Sequence, residues 1–160
     1  FGKGGNRLYG YNTRIPLLLR LPGGHGGGSE RNDFAQHQDL APTIWSLMGF
    51  DGPEMTGLDG RDLLDDAPTK PDSVIIGWGQ NVSIRDERWN LTFRYTDADA
   101  DKVLFDLQAD PEENENVAEA NPEVVRDLIS RMEAKLGPLQ FEIKHQGDRR
   151  HVPPLSVIVR

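Results

Sequence analysis

Apolar and polar residues alternate strictly from Trp89 to Thr96, and this pattern limits the fold more than any other in the chain. Successive side chains of a β-strand point to opposite faces of the sheet. The alternation therefore predicts an antiparallel strand with one buried face and one face in water. Apolar segments at residues 74–76, 82–84 and 102–107 predict three neighbouring strands. Residues 86–88 are short enough to form a hairpin turn.

A helix is predicted over residues 122–136, after these strands. Asn121 is the expected N-cap, Pro122 suits the first helical position, and Gly137 can end the helix. Its apolar positions recur at helical spacing, which predicts one buried stripe against the sheet. The stripe contains Val125, Leu128, Ile129, Met132 and Leu136.

The residues before Pro71 have a different pattern. Residues 14–21 form a continuous apolar run, typical of a strand buried on both faces of an α/β sheet. A Gly-rich loop at 22–29 and a helix over 39–48 follow, with Asp39 as N-cap. The expected buried stripe of that helix is Leu40, Ile44, Leu47 and Met48. We therefore predict an α/β fold class with two domains: the end of a larger α/β domain at 1–71, and an antiparallel sheet with one packed helix at 72–160.

Charge and composition exclude several classes of protein. The net charge of -8 is opposite to the basic surface of a nucleic-acid-binding domain. The apolar run from Leu17 to Leu19 is too short to span a bilayer. The chain has no Cys, which excludes disulfides and a thiol nucleophile. Because residue 1 is Phe and no signal segment follows it, we expect a piece of a longer protein.

Metal and nucleophile patterns are weak. Asp97, Asp99 and Asp101 alternate as at the start of a calcium loop, but Lys102 and Gln108 replace its essential Gly and Glu. A solvated acidic turn is the better interpretation. His37 precedes the predicted helix and is either a structural histidine or a residue that lines a cleft. The four His have no zinc-site spacing. No metal site is predicted within this chain.

Several motifs together resemble the C-terminal part of sulfatases, members of the alkaline-phosphatase superfamily. They begin with Gly-Lys-Gly at 2–4 and continue through a His-Gln-Asp-Leu-Ala-Pro-Thr segment to an Asp-Pro-Glu-Glu segment and its Asn-Val-Ala continuation. In chain order they occupy residues 2–4, 14–23, 37–49, 58–64, 84–91 and 104–118. Their order is the family's order, so the resemblance covers residues 1 to about 137.

This resemblance implies the end of a large α/β domain with a mixed sheet, followed by a small antiparallel subdomain. It implies hydrolysis of sulfate esters on a sulfated small molecule or glycan, with Ca²⁺ and a formylglycine nucleophile made from Cys or Ser. The nucleophile motif is absent here, and the calcium ligands are expected in a missing N-terminal catalytic portion. Lys3 is the one position carried over, as a substrate-binding lysine for the sulfate. Without the resemblance, Lys3 would read as a solvated lysine.

Three departures from the family pattern leave alternatives open. Gly4 stands where many relatives have His, Gly10 where many have Glu, and Asn90 where the hairpin has Lys. One alternative is a phosphonate or phosphate ester hydrolase of the same superfamily. Another is a non-catalytic module that binds a glycan or a partner protein. We expect this chain alone to be inactive.

Overall fold

The computed structural model describes residues 8–50, 57, 59–65, 70–96 and 100–137. The chain divides into two compact units. The larger unit contains the described residues up to Leu18 together with those from Ile75 onward, and the smaller unit runs from Leu19 to Val74. Lys3, Asp97 and Asp99 lie outside the described residues, and so does the apolar segment at 155–159, whose pattern predicts a last strand. The division into domains at 1–71 and 72–160 stays a prediction.

The larger unit is built on a four-stranded sheet with strands in chain order. Antiparallel pairing places Ile84 opposite Leu91, and Leu91 opposite Leu104. The predicted strands and the hairpin turn at 86–88 are confirmed, with Asp86 accepting the backbone N–H groups of Arg88 and Trp89. The strands are β1 (Val74–Trp78), β2 (Asn81–Arg85), β3 (Trp89–Arg94) and β4 (Val103–Asp106).

One helix packs on this sheet. Before it in the chain come a short helix, α1 (Gly10–Thr13), and α2 (Leu40–Leu47); the packed helix is α3 (Pro122–Leu136). Its predicted stripe is confirmed, since Leu128 and Met132 are fully buried and Ile129 and Leu136 pack against the same core. Gly137 ends the helix at φ 82, a backbone conformation that glycine adopts without steric cost.

The predicted cap of α3 is only partly correct. Asn121 lies at the N-cap position, but its side chain makes no capping hydrogen bond. Its Nδ2 instead donates to the carbonyl oxygen of Val117 over 2.9 Å. The side chain therefore fixes the approach to the helix and leaves the first-turn N–H groups without that partner.

The prediction that β3 has one solvated face was wrong over the middle of the strand. Asn90 and Thr92 are 1% and 2% exposed. The reason is tertiary: the chain around Leu8 and Tyr9 covers this face, with the Leu8 carbonyl bonded to Asn90 and the Tyr9 ring 5.6 Å from that of Phe105. The sheet of the larger unit is thus covered on both faces near its centre.

In the smaller unit, a 3₁₀ turn at His37–Asp39 leads into α2. Gly49 follows α2 at φ 80, and the N–H groups of Gly49 and Phe50 donate to the carbonyls of Ser46 and Trp45. This pair of bonds is a Schellman C-cap, a motif in which glycine is the usual residue at the position of Gly49. Asp39 does not cap α2 through its side chain; its carboxylate accepts the N–H groups of Gln36 and Arg61.

The predicted buried stripe of α2 was wrong. Ile44, Leu47 and Met48 are 52%, 49% and 64% exposed, and the buried residues are Pro42 and Thr43. Polar contacts decide the orientation, because the Thr43 hydroxyl donates to the Asp39 carbonyl and accepts the N–H of Leu63. Leu63 itself is 6% exposed, so this contact lies in the interior of the smaller unit.

Gly60 allows two segments of the smaller unit to approach closely. A Cβ at this position would lie 2.0 Å from the carbonyl oxygen of Gln38, an impossible contact. The glycine of the Asp-Gly-Arg motif is therefore required by the backbone of the turn before α2.

The strand predicted at residues 14–21 is not formed in the part of the chain that the structure describes. Residues 14–20 are exposed, including Leu18 at 91%. A strand needs a neighbour whose N–H and C=O groups complete its ladder, and no described residue pairs with this segment. The apolar run alone was not sufficient to form a strand.

Asp33 is the centre of a charged cluster in the smaller unit. Arg31 donates to both its carboxylate oxygens over 3.0 Å, Arg61 donates over 2.6 Å, and the Lys70 ammonium lies at 3.7 Å. The hydrogen bonds from Arg31, and then from Arg61, hold the pKa of the Asp33 carboxyl well below its usual range. Arg31 also donates to the Leu63 carbonyl, which ties the cluster to the turn beside α2.

Candidate functional site

The candidate site is the segment that follows Lys3 in the sequence. Lys3 and Gly4 lie outside the described residues, which begin at Leu8. Leu8 is 6% exposed and Gly10 is buried, so residues 8–10 are enclosed by the rest of the larger unit. Four side chains hold it, and we call them the Glu113 cluster: Ser83, Arg85, Asn90 and Glu113.

Strand register brings three members of the Glu113 cluster to one face of the sheet. Ser83 and Arg85 are two residues apart on β2, so their side chains share a face. Asn90 on β3 lies directly opposite Arg85 in the antiparallel register. These polar side chains face away from the apolar core that α3 covers.

Glu113 comes from the loop after β4. It is the non-glycine residue with positive φ (59°) in the described part of the chain, a conformation uncommon outside glycine. Asp110 organises the loop, since its carboxylate accepts the N–H groups of Asn114 and Glu115 over 2.6 and 2.8 Å. The bond from Glu115, followed by that from Asn114, lowers the pKa of the Asp110 carboxyl. The loop thereby presents the Glu113 carboxylate to the sheet.

The Glu113 carboxylate is almost completely buried and has three donors. Its Oε1 accepts hydrogen bonds from Arg85 Nη1 at 2.7 Å and Asn90 Nδ2 at 2.8 Å. Its Oε2 accepts the backbone N–H of Gly10. The side chains of Arg85 and Glu113 are 12% and 2% exposed, so the charges balance each other in a largely dry environment. Removing either one would leave the other buried and unpaired.

Asn90 connects the carboxylate to the segment that follows Lys3. Its Nδ2 also donates to the Leu8 carbonyl at 3.0 Å, and its Oδ1 accepts the Ser83 hydroxyl. Both ends of the amide are therefore used inside the protein. Asn90, which replaces the Lys of the family hairpin, is 1% exposed, and its side chain bonds to Ser83, Leu8 and Glu113.

Gly10 lies against the same ion pair. A Cβ added at this position would lie 3.2 Å from Arg85 Nη1 and 3.3 Å from Glu113 Oε2, which is tighter than usual. A longer side chain, such as the Glu of many relatives, would meet the charged groups already present. Gly10 and Asn90, two of the three departures noted from the sequence, thus meet in one cluster.

The Glu113 cluster can orient residues 8–10. Its own four side chains offer no exposed nucleophile and no open position for a metal ion. Among the described residues, no group of three or more His, Asp or Glu could hold a metal ion. The described residues therefore do not fit the calcium that the resemblance implies. His37 is exposed on the 3₁₀ turn before α2, so it is not a buried structural histidine.

Sequence reasoning did not assign a role to Arg85 or Glu113. Both were present in the motifs that carry the resemblance, at 84–91 and 104–118. A buried ion pair between residues 28 positions apart leaves no periodic signal in the chain. The signal in the sequence that could have identified them is that Arg85 and Glu113 both lie inside family motifs.

Nothing in the described part of the chain forms a helix long and apolar enough to cross a membrane. A search of curated proteins found no match.

Solved structures with the same fold include three sulfatase-related proteins. One is BT4656 in complex with its substrate D-glucosamine-2-N,6-O-disulfate, at 17% identity and a TM-score of 0.51, covering 61% of this chain and 23% of that one. A second is BT1596, a 2-O glycosaminoglycan sulfatase, at 18% identity and 0.51, covering 61% and 24%. A third comes from a glycosaminoglycan-metabolism locus of Bacteroides thetaiotaomicron, at 21% and 0.51, covering 61% and 26%.

These structures show the fold, and this chain spans about a quarter of their length. The family model described as N-sulphoglucosamine sulphohydrolase, C-terminal, matches residues 5–142, which is most of the chain. The four-stranded antiparallel sheet with its packed helix is the architecture expected of that domain. The chain therefore belongs to the N-sulphoglucosamine sulphohydrolase C-terminal family of sulfatases.

Proposed function

We propose that this chain is the C-terminal part of a sulfatase that hydrolyses sulfate groups on a sulfated glycan or small molecule. The observation that carries the proposal is the family match over residues 5–142. The solved relatives with this fold support it, since one is described with a disulfated glucosamine as substrate and another as a 2-O sulfatase.

In this proposal, Lys3 binds the sulfate group. A lysine ammonium is a compact charge that can approach an oxyanion closely when glycines flank it, and Gly2 and Gly4 do so here. Charge stabilisation of this kind at a leaving oxygen is a large catalytic effect in a site that excludes water. The Glu113 cluster supports the assignment indirectly, since it fixes the backbone at Leu8 and Gly10, five and seven residues after Lys3.

The nucleophile and the metal are proposed to come from outside this chain. The chain has no Cys and no Cys/Ser-x-Pro/Ala-x-Arg motif from which formylglycine could be made. The described residues contain no calcium ligand set. The part proposed for this chain is to bind and orient the sulfate group, through Lys3.

The test is Lys3→Ala in the intact parent protein. We expect kcat/KM for a sulfated glucosamine substrate to fall about 10²- to 10³-fold, as when one oxyanion-stabilising donor is removed. Lys3→Arg should rescue activity only partly, because a planar guanidinium replaces a compact ammonium. Lys135→Ala is the matched control, since Lys135 is an exposed lysine on α3.

Three outcomes would contradict different parts of the proposal. If the parent protein hydrolysed phosphate or phosphonate esters at least as well as sulfate esters, the alternative hydrolase of the same superfamily would be supported. If it bound sulfated glycans without turnover of any ester, it would be a non-catalytic binding module. An effect of Lys3→Ala below about twofold would remove Lys3 from the site.

A further inference from the structure

We infer that Glu113 is a positioning residue: through the backbone of Gly10 it anchors residues 8–10, the described segment that follows Lys3 in the sequence. The inference rests on the proposed function for the role of Lys3. Its structural part, the anchoring of residues 8–10 by a buried carboxylate, is independent of what the enzyme hydrolyses. Glu113 would act through the chain that follows Lys3 and would not itself touch the substrate.

The first support is that the anchor consists of hydrogen bonds to backbone groups. Gly10 donates its N–H to Glu113 Oε2, and the Leu8 carbonyl accepts from Asn90 Nδ2 at 3.0 Å. Asn90 is itself held by Glu113 at 2.8 Å. Backbone groups at both ends of a three-residue segment are thus fixed by one carboxylate, directly at Gly10 and through Asn90 at Leu8.

The second support is the burial and charge of the anchor. The Glu113 side chain is 2% exposed and pairs with Arg85 at 2.7 Å. Hydrogen bonds that involve a charged group are stronger than neutral ones, particularly away from water. A donor at Gly10 that lost this acceptor would be buried without a partner, which is unfavourable. The segment therefore has one strongly preferred position.

The third support is that the protein accommodates an unfavourable backbone at Glu113. A non-glycine residue at φ 59° costs stability and persists where the surroundings fix it. Here the neighbouring turn is fixed by Asp110, whose carboxylate accepts two backbone N–H groups. A glycine or asparagine would adopt this conformation more readily, but neither carries a carboxylate that can reach Gly10, Asn90 and Arg85 together.

The fourth support is the space at Gly10. Since a Cβ there would lie 3.2 Å from Arg85 and 3.3 Å from Glu113, the backbone of Gly10 lies directly on the ion pair. The Tyr9 ring contacts Phe105 at 5.6 Å and stacks with Tyr11 at 5.2 Å. Polar and aromatic contacts therefore fix the same short segment from two sides.

The experiment compares two Glu113 variants in the intact parent enzyme. Glu113→Gln removes the charge, and Glu113→Asp keeps the charge while shortening the reach by one methylene. Both should lower kcat/KM for the sulfated substrate by about ten- to hundredfold, mainly through kcat, because small displacements of a catalytic group have effects of this size. Rates are normalised to the folded fraction.

The matched control is Asp106→Asn. Like Glu113→Gln, it converts a carboxylate paired with an arginine to an amide. The Arg88 side chain of this pair is exposed, however, and among the described interactions the pair makes no contact with Leu8 or Gly10. We expect kcat/KM of this variant to stay within about twofold of the wild type, an effect below the roughly 1.4 kcal/mol of a tenfold change.

Coupling to Lys3 distinguishes positioning from a general loss of structure. If Glu113 acts through the segment after Lys3, Glu113→Gln should lower kcat/KM by less than about threefold in a Lys3→Ala background, since coupled residues are non-additive. Equal effects in both backgrounds would overturn the inference. So would full activity in a folded Glu113→Gln variant, or failure of both Glu113 variants to fold.

Hydrogen exchange separates this inference from the proposed function. In Glu113→Gln, the amides of residues 8–11 should exchange at least about tenfold faster, while the core amides of β3 keep their protection. If the parent enzyme showed no sulfatase activity, the proposed function would fail, and faster exchange would still support the anchor. Unchanged exchange at residues 8–11 would overturn the anchor even if the enzyme were a sulfatase.

Discussion

At the scale of residues, buried or partly buried carboxylates organise both units by accepting hydrogen bonds from distant parts of the chain. Asp33 joins Arg31 to Arg61, and Glu113 joins Gly10 to Arg85 and Asn90. Asp86 serves the hairpin in the same way and also accepts from Arg131 on α3 at 2.8 Å. In this acidic chain, with a net charge of -8, some carboxylates therefore hold the fold together and are not simply solvated at the surface.

The smaller unit should lose stability in acid partly through Asp33. The pKa of its carboxyl is held below the unfolded value of about 3.9. The ionised group therefore stabilises the fold above about pH 4, and this contribution is lost progressively as the pH falls further. Asp33→Asn should destabilise the unit at pH 7 and have a smaller effect at pH 3.

Urea unfolding at pH 7 and pH 3 measures this difference in the free energy of unfolding. Hydrogen exchange of the α2 amides is the readout for the smaller unit. Asp127→Asn, on the exposed side of α3, is the control. An equal loss of stability at pH 7 and pH 3 for Asp33→Asn would contradict the prediction.

At the scale of elements, the larger unit depends on one helix packed on one sheet. Leu128 and Met132 are fully buried against Ile84, Leu91 and Leu104, so α3 completes the core that the sheet alone leaves uncovered. The opposite face of the sheet carries the Glu113 cluster and the segment at 8–10. The same four strands thus support a hydrophobic core on one side and the anchor on the other.

Leu128→Ala should cost about 2–5 kcal/mol of unfolding free energy, because it removes transfer energy and leaves a cavity in the core. Arg126→Ala, on an exposed position of the same helix, should change stability by less than about 0.5 kcal/mol. Denaturant unfolding monitored by circular dichroism gives both values. A Leu128→Ala cost below about 1 kcal/mol would show that α3 contributes little to the core.

At the scale of the whole molecule, the chain covers a quarter of the length of the solved relatives. Residues 14–20, and Ile44 and Leu47 of α2, are exposed in its described part, although the sequence predicts them as buried. The family match over residues 5–142 shows a C-terminal sulfatase domain. Catalysis is therefore proposed for the complete protein, with residues from outside this chain.

The purified 160-residue chain should show no turnover of an aryl sulfate, with or without added calcium. It has no formylglycine motif, and its described residues have no metal-binding group. Product release measured beside the intact parent protein tests this expectation. Calcium-dependent turnover by the chain would show that a nucleophile and a metal site had been overlooked.

The sequence determined the local elements of the larger unit. Alternation at 89–96 defined β3, Pro122 and Gly137 bounded α3, and the stripe containing Leu128 and Met132 identified its buried face. These patterns are periodic and local, so they are readable from a single chain. The motifs in their order also indicated the sulfatase family, which the family match confirms.

Only the tertiary structure decided which polar residues are buried and what they hold. Asn90 occupies a position that alternation assigns to solvent, and Glu113 lies in a loop, yet both are buried because the segment at Leu8 returns across the sheet. Residues 14–21 carry a strand-like pattern but lack a described pairing neighbour. The physical reason is that a hydrogen bond or strand pairing between distant segments depends on both partners, whereas periodicity records the environment of one segment alone.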